Sequence, residues 1–143
     1  MRHEAAGVTE ILLDSAKNEF LEYGFHDASL RRVAAKSGVS TNSIYTRFHD
    51  KTGLFGAVVK EAADGLMEIY LNSISEAKET FDVKQAMQIG GEGTDIVLKY
   101  IYKYKDEFKL IFCCSVGTEY ENYFDKLAAI EENYYRQFAK QFS

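Results

Sequence analysis

The chain has 143 residues, 46 % of them hydrophobic, and no proline, which is enough for one domain or one core with a small lobe, and too little Gly and Pro for a linker or disordered tail. No run of about 18 apolar residues occurs, and the opening MRHEAAGVTE has no apolar signal region, so the sequence reads as a soluble, unsecreted, cytoplasmic protein with no membrane partner. The net charge of −5 argues against a nucleic-acid binder only until it is divided along the chain, because residues 1–51 hold seven Lys/Arg against seven Asp/Glu and residues 52–143 hold ten against fifteen.

Long stretches at helical period predict an all-α fold. The first helix is expected from Thr9 to Tyr23, with Leu12, Leu13, Ala16, Phe20 and Tyr23 on one buried face and Gly24 as its stop. Phe25 then folds into the same small core. Ser29 can cap a second helix beginning at Leu30, whose Leu30, Val33 and Ala34 share a face. Gly38 ends that helix in the left-handed conformation, and Val39 plugs the angle to the next one. Ser40 caps the third helix, where Ile44 and Phe48 face inward and Thr41, Asn42 and Ser43 offer short polar side chains to base edges. Two short helices across such a turn form a helix-turn-helix. Between Ser29 and Lys51 stand Arg31, Arg32, Lys36, Arg47 and Lys51 against Asp50 alone, a local charge of +4. Phosphate attraction acts within a Debye length of about 8 Å, so a small basic face can work on an acidic protein. Arg32 and Lys36 read as solvated-face residues, and His26 and His49 as surface loop or cap residues.

Asp50 can cap a fourth helix that starts at Lys51 and, by the recurrence of Leu54, Phe55, Val58, Val59, Ala62, Ala63, Leu66, Met67, Tyr70 and Ile74, lasts to about Thr80. It is long enough to connect two lobes. Asp82 with Gln85 forms a capping box for a fifth helix to about Lys105, which Gly90, Gly91 and Gly93 should kink, fray or delay to Thr94. A sixth helix is expected over Glu107 to Val116 with Gly117 as its end. Thr118 and Glu121 form a second capping box before the last helix. The aromatic residues Tyr70, Phe81, Tyr100, Tyr104, Phe108, Phe112, Tyr120, Tyr123 and Phe124 read either as bundle core or as lining of a cavity for an apolar or aromatic ligand. The adjacent Cys113 and Cys114 cannot easily pair with each other and read as small buried apolar residues.

Over about residues 9 to 60 the chain resembles the TetR family of bacterial transcriptional regulators. The resemblance rests on Ser29, Val33-Ala34, Ser37-Gly38-Val39-Ser40, Ile44-Tyr45, Phe48, Lys51 and Leu54-Phe55, and more weakly on YKYKDEFKLIF further on. It implies a helix-turn-helix DNA-binding domain over residues 1–50, joined by the long fourth helix to a helical ligand-binding and dimerisation domain over 51–143. It further implies a homodimer on a palindromic operator in double-stranded DNA, and a small-molecule effector that relieves repression. By position, Tyr45 and Lys51 match phosphate-contacting residues. Thr41, Asn42, Ser43, Thr46 and Arg47 match the exposed recognition helix, and Ser29 and Arg31 the DNA-facing start of the second. Asn42 departs from the glycine or alanine common there, and asparagine can contact adenine in bidentate fashion. Tyr70, Tyr100, Tyr104, Phe108, Phe112 and Tyr123 are the implied pocket. Family members usually continue for about two further helices, which form the dimer interface, whereas this sequence ends in the seventh.

No Ser/His/Asp or Cys/His arrangement, HExxH, Glu-x-x-His pair or P-loop occurs, and the Gly90–Gly93 cluster lacks the Lys and Ser/Thr of a phosphate loop, so neither an enzyme, a metal site nor a cofactor is expected. The competing reading is a helical ligand-binding or protein-interaction module that binds no operator.

Overall fold

A computed structural model describes residues 7–78 and 83–141. Its described residues form seven helices and no strand: α1 (Val8–Asp27), α2 (Leu30–Ser37), α3 (Thr41–Phe48), α4 (Lys51–Lys78), α5 (Val83–Lys103), α6 (Lys105–Cys114) and α7 (Tyr123–Gln141). The fold is therefore all-α, as the periodicity predicts. The helices divide into two units, Met1–Glu61 with Asp106–Glu121, and Ala62–Lys105 with Asn122–Ser143.

The first unit is built on α1. Gly24 lies at φ 77° inside the span assigned to this helix, a left-handed conformation that breaks the helical path and turns Phe25 into the core. Phe25 meets Phe20 at 6.1 Å and Phe55 at 5.6 Å, and Phe20 meets Phe55 edge-on at 5.2 Å. Leu12, Ala16, Val33, Ala34, Ile44 and Leu54 close the core around these rings, and Phe108, Leu110 and Ile111 of α6 are also buried. Lys17 of α1 pairs with Glu107 of α6 at 3.3 Å.

Several boundaries differ from the expectation. Tyr23 is 39 % exposed, not buried, and its ring carries the Arg32 guanidinium at 4.1 Å. The buried stripe of α1 instead includes Glu19, seven residues after Leu12 and therefore on the same face. Helix α6 runs two residues earlier than expected. Thr118 does not cap α7: its hydroxyl donates to the Ser115 carbonyl at 2.6 Å and its carbonyl accepts the Glu121 N–H at 3.2 Å, closing a local turn after Gly117 at φ 89°. Helix α7 follows at Tyr123, with the Asn122 carbonyl accepting the Lys126 N–H at 3.0 Å. Cys113 is exposed and Cys114 half-buried, so neither is the core residue that composition suggests.

In the second unit Ala62, Ala63 and Leu66 of α4 are buried. Tyr100 donates to the Ala62 carbonyl at 3.1 Å and Tyr123 to the Ala63 carbonyl at 2.6 Å. Gly65 makes room for the first of these, because a side chain there would collide with the Tyr100 hydroxyl and ring. The expected break at the glycine cluster does not occur, and α5 is continuous through residues 90–93. Gly93 is buried, and a Cβ on it would lie 3.3 Å from Ser73 Oγ, so a close approach to α4 is gained where helix propensity is lost. Asp82 of the expected capping box and Phe81 lie outside the described residues.

Candidate nucleic-acid interface

The helix-turn-helix is assembled by contacts a few residues apart. Ser29 Oγ accepts the Arg32 N–H at 3.3 Å, satisfying one open donor at the start of α2. Gly38, at φ 73°, ends α2 by returning its N–H to the Ala34 carbonyl at 3.0 Å. Two residues later Ser40 Oγ accepts the Ser43 N–H at 3.1 Å and starts α3. Asp50 repeats the device for α4 through the Gly53 N–H at 2.7 Å, after His49 has made the turn at φ 72°. With Ile44 fully buried and Phe48 half-buried, the outward surface of α3 is fixed.

That surface carries Asn42, Tyr45, Thr46 and Arg47 exposed, and Thr41 and Ser43 half-buried. Tyr45 is 50 % exposed. The Thr46 hydroxyl donates back to the Asn42 carbonyl at 2.8 Å, which ties it to its own helix. Arg47 Nη1 reaches Thr9 Oγ1 at 3.3 Å, so its charge sits at the junction of α3 and α1.

The local +4 is not all directed outward. Arg32 donates from Nε and Nη2 to Glu19 Oε2, each at 2.8 Å, and from Nη2 to the Asp27 carbonyl at 3.1 Å. Glu19 Oε2 also accepts the Ser29 N–H at 2.8 Å, while its other oxygen is buried with no partner among the described residues. Lys51 is held too: its ammonium donates to the His26 carbonyl at 2.7 Å and the Ala28 carbonyl at 3.2 Å, and lies 5.2 Å from the Phe25 ring centre. It therefore closes the C-terminal end of α1 as well as starting α4. Lys36 is exposed beside a shallow depression that it shares with Glu10 and Asp14. Arg31 is exposed and makes no hydrogen bond or ion pair among the described residues. Glu19 was not a candidate by sequence, although its place on the buried stripe of α1 is the signal that marks it.

The second unit contains a cavity of about 660 Å³. Its walls are Tyr70, Ser73 and Ile74 of α4, an α5 stretch including Val97, Leu98 and Ile101, and Glu131, Tyr134, Tyr135 and Phe138 of α7. Of the six aromatic residues expected around a pocket, Tyr70 lines it. Tyr100 and Tyr123 are taken up by backbone carbonyls, and Tyr104 packs on the Tyr100 ring at 4.8 Å. Phe108 is buried in the first unit and Phe112 is 77 % exposed there. Burial, with Glu131 and Tyr135 adding to it, raises the Tyr70 pKa above its ordinary value, and burial followed by Tyr135 does the same for Tyr134. Both hydroxyls, neutral at physiological pH as tyrosines ordinarily are, are only held further from ionisation. Burial, ahead of the neighbouring Cys113, likewise raises the Cys114 thiol and weighs against a reactive thiolate there. Among the described residues no group of three His, Cys, Asp or Glu side chains could hold a metal ion, and no helix is long and apolar enough to cross a membrane.

Residues 12–58 match the family described as bacterial regulatory proteins, tetR family. The HTH-type transcriptional regulator BetI of Escherichia coli K12 / DH10B is 35 % identical over 63 residues, which take in 44 % of this chain and 32 % of that protein. BetI of Klebsiella pneumoniae strain 342 gives the same figures. The matching segment thus spans about a third of these curated relatives. Among solved structures, a TetR-like transcriptional regulator from Rhodococcus sp. RHA1 superposes with a TM-score of 0.54 at 20 % identity, over 92 % of this chain and 67 % of that one. A Mesorhizobium loti protein described as of the TetR family gives 0.50 at 18 % identity, over 93 % and 62 %. At these identities the two structures show likeness of fold.

Proposed function

We propose that this chain, whose residues 12–58 match the tetR family of bacterial regulatory proteins, is a transcriptional regulator of that family that binds duplex DNA through α3. The observation that carries the reading is the surface of α3. One short capped helix, anchored by the buried Ile44, presents Asn42, Tyr45 and Arg47 to solvent beside Thr41. In this reading residues 1–50 are the DNA-binding domain. Asn42 and Thr41 meet base edges, with Ser43 and Thr46 supporting them, and Tyr45, Arg47 and Arg31 meet phosphates. Ser29 acts as the cap that aims α2. Lys51 contributes charge from a fixed position, since its ammonium is held by two carbonyls.

Residues 51–143 are the regulatory part. The protein acts in the cytoplasm as a homodimer on a palindromic operator, and a small molecule bound in the cavity of the second unit relieves repression. The exposed Ile96 and Tyr102 on α5, at 52 % and 75 %, supply apolar surface of the kind a second copy covers.

Selection of bound sequences from random duplexes with the full chain tests this. The expected product is a palindrome whose half-sites lie about one helical turn, ~34 Å, apart. Recovery of unrelated sequences by folded protein contradicts the operator reading, and recovery of single half-sites contradicts the dimer.

A further inference from the structure

We propose that the cavity of the second unit takes an organic cation, with Glu131 as its counter-charge and the rings of Tyr70, Tyr134, Tyr135 and Phe138 as its walls. The inference rests on the reading of this unit as the effector-binding part, and adds the chemical class of the effector. The volume of about 660 Å³ lies within the range of small-molecule sites, roughly 300–1,000 Å³. Among the described lining residues Glu131 alone carries a charge. No ion pair engages it among the described residues, and Arg136, further along α7, is already paired with Glu132 at 2.9 Å.

Three ligand classes can be weighed against that lining. An anion would meet the carboxylate with no cationic side chain among the described lining residues to offset it. A neutral apolar ligand would strip water from Glu131 and return nothing, which is the costly way to bury a carboxylate. A cation is attracted by the carboxylate and also by the negative faces of the rings, and both attractions strengthen as water leaves. The rings are clustered for this, with Tyr134 lying 5.3 Å from Tyr135 and 6.0 Å from Phe138. The Tyr70 and Tyr134 hydroxyls are neutral at physiological pH as tyrosines ordinarily are, and burial only raises their pKa further, so they add donors but no second negative charge. The matching ligand is thus a monocation with an apolar body, such as a quaternary or tertiary amine.

The test is a titration of the full chain with phenyltrimethylammonium and with its neutral isostere tert-butylbenzene, followed through the tyrosine ring signals by NMR without DNA. The expected result is binding of the cation at least about tenfold tighter than the isostere. Glu131→Gln should remove about tenfold of the cation affinity, leave the isostere within about twofold, and be matched by no change in the control Glu132→Gln. Equal or tighter binding of the isostere overturns the proposal. So does an unchanged cation affinity in folded Glu131→Gln, or no binding of either compound, as when a second copy of the chain fills the cavity. DNA binding is measured separately: cation preference in a chain that binds no duplex sinks the regulator reading alone, and duplex binding without cation preference sinks this inference alone.

Discussion

Arg32 and Glu19 form an asymmetric pair, with the carboxylate side chain fully buried and the guanidinium 44 % exposed. Removing either partner therefore does different damage. Arg32→Ala leaves a buried carboxylate with only the Ser29 N–H as partner, and should cost about 3 kcal/mol in urea unfolding. Glu19→Met keeps the volume, returns Arg32 to water and orphans one part-buried N–H, for about 1 kcal/mol. The reverse order would mean that Glu19 is not the anchor of α2. A second contrast separates the basic residues by what holds them. Lys51→Met should lower both stability, by about 1–2 kcal/mol, and DNA affinity, because its ammonium closes the end of α1. Arg31→Ala should lower DNA affinity while stability stays within about 0.5 kcal/mol, because nothing in the fold depends on it. Melting curves and duplex binding on the same two variants check this.

At the scale of elements, the glycines of α4 and α5 are not equivalent. Gly65→Ala forces the Tyr100 ring off its bond to Ala62, and should cost about 1–2 kcal/mol. Gly91 is exposed with open space where its Cβ would be, so Gly91→Ala should stabilise by about 0.5–1 kcal/mol through helix propensity. Thermal unfolding of the two single variants in opposite directions is the expected outcome. The same helices show what a sequence can reveal. The bounds of α2 and α3 were legible because Ser29, Gly38 and Ser40 act on backbone groups within four residues. The continuity of α5 was not, because what Gly93 gains is room beside Ser73, some twenty residues earlier. Nor was the cavity lining legible. Helical period says that Tyr100 and Tyr134 both face inward, but not that one meets a carbonyl and the other an empty space. Glu19 is the intermediate case: the period puts it on the buried stripe, and only Arg32 and Ser29, ten and more residues away, explain why a carboxylate is tolerated there.

Across the whole molecule, charge decides how DNA can be held. The −5 lies in residues 52–143, and of the five basic residues between Ser29 and Lys51 two are held inside the first unit and one sits beside two carboxylates. On the proposed reading Arg31 and Arg47, the latter bonded to Thr9 at the α1–α3 junction, are the main phosphate partners, with Lys36 as a weaker third. Counterion release then predicts a slope of log affinity against log salt of about −2 to −3 for each bound copy, well short of the roughly −4.5 that all five would give. The direct measurement is a salt titration of the folded full chain on a duplex carrying its selected site, with Arg31→Ala and Arg47→Ala in parallel. The account predicts binding at low salt, a slope near −2 to −3 per copy, and a loss of about one unit of slope per copy in each variant. No binding at low salt by folded protein, or a slope that neither variant changes, would contradict it.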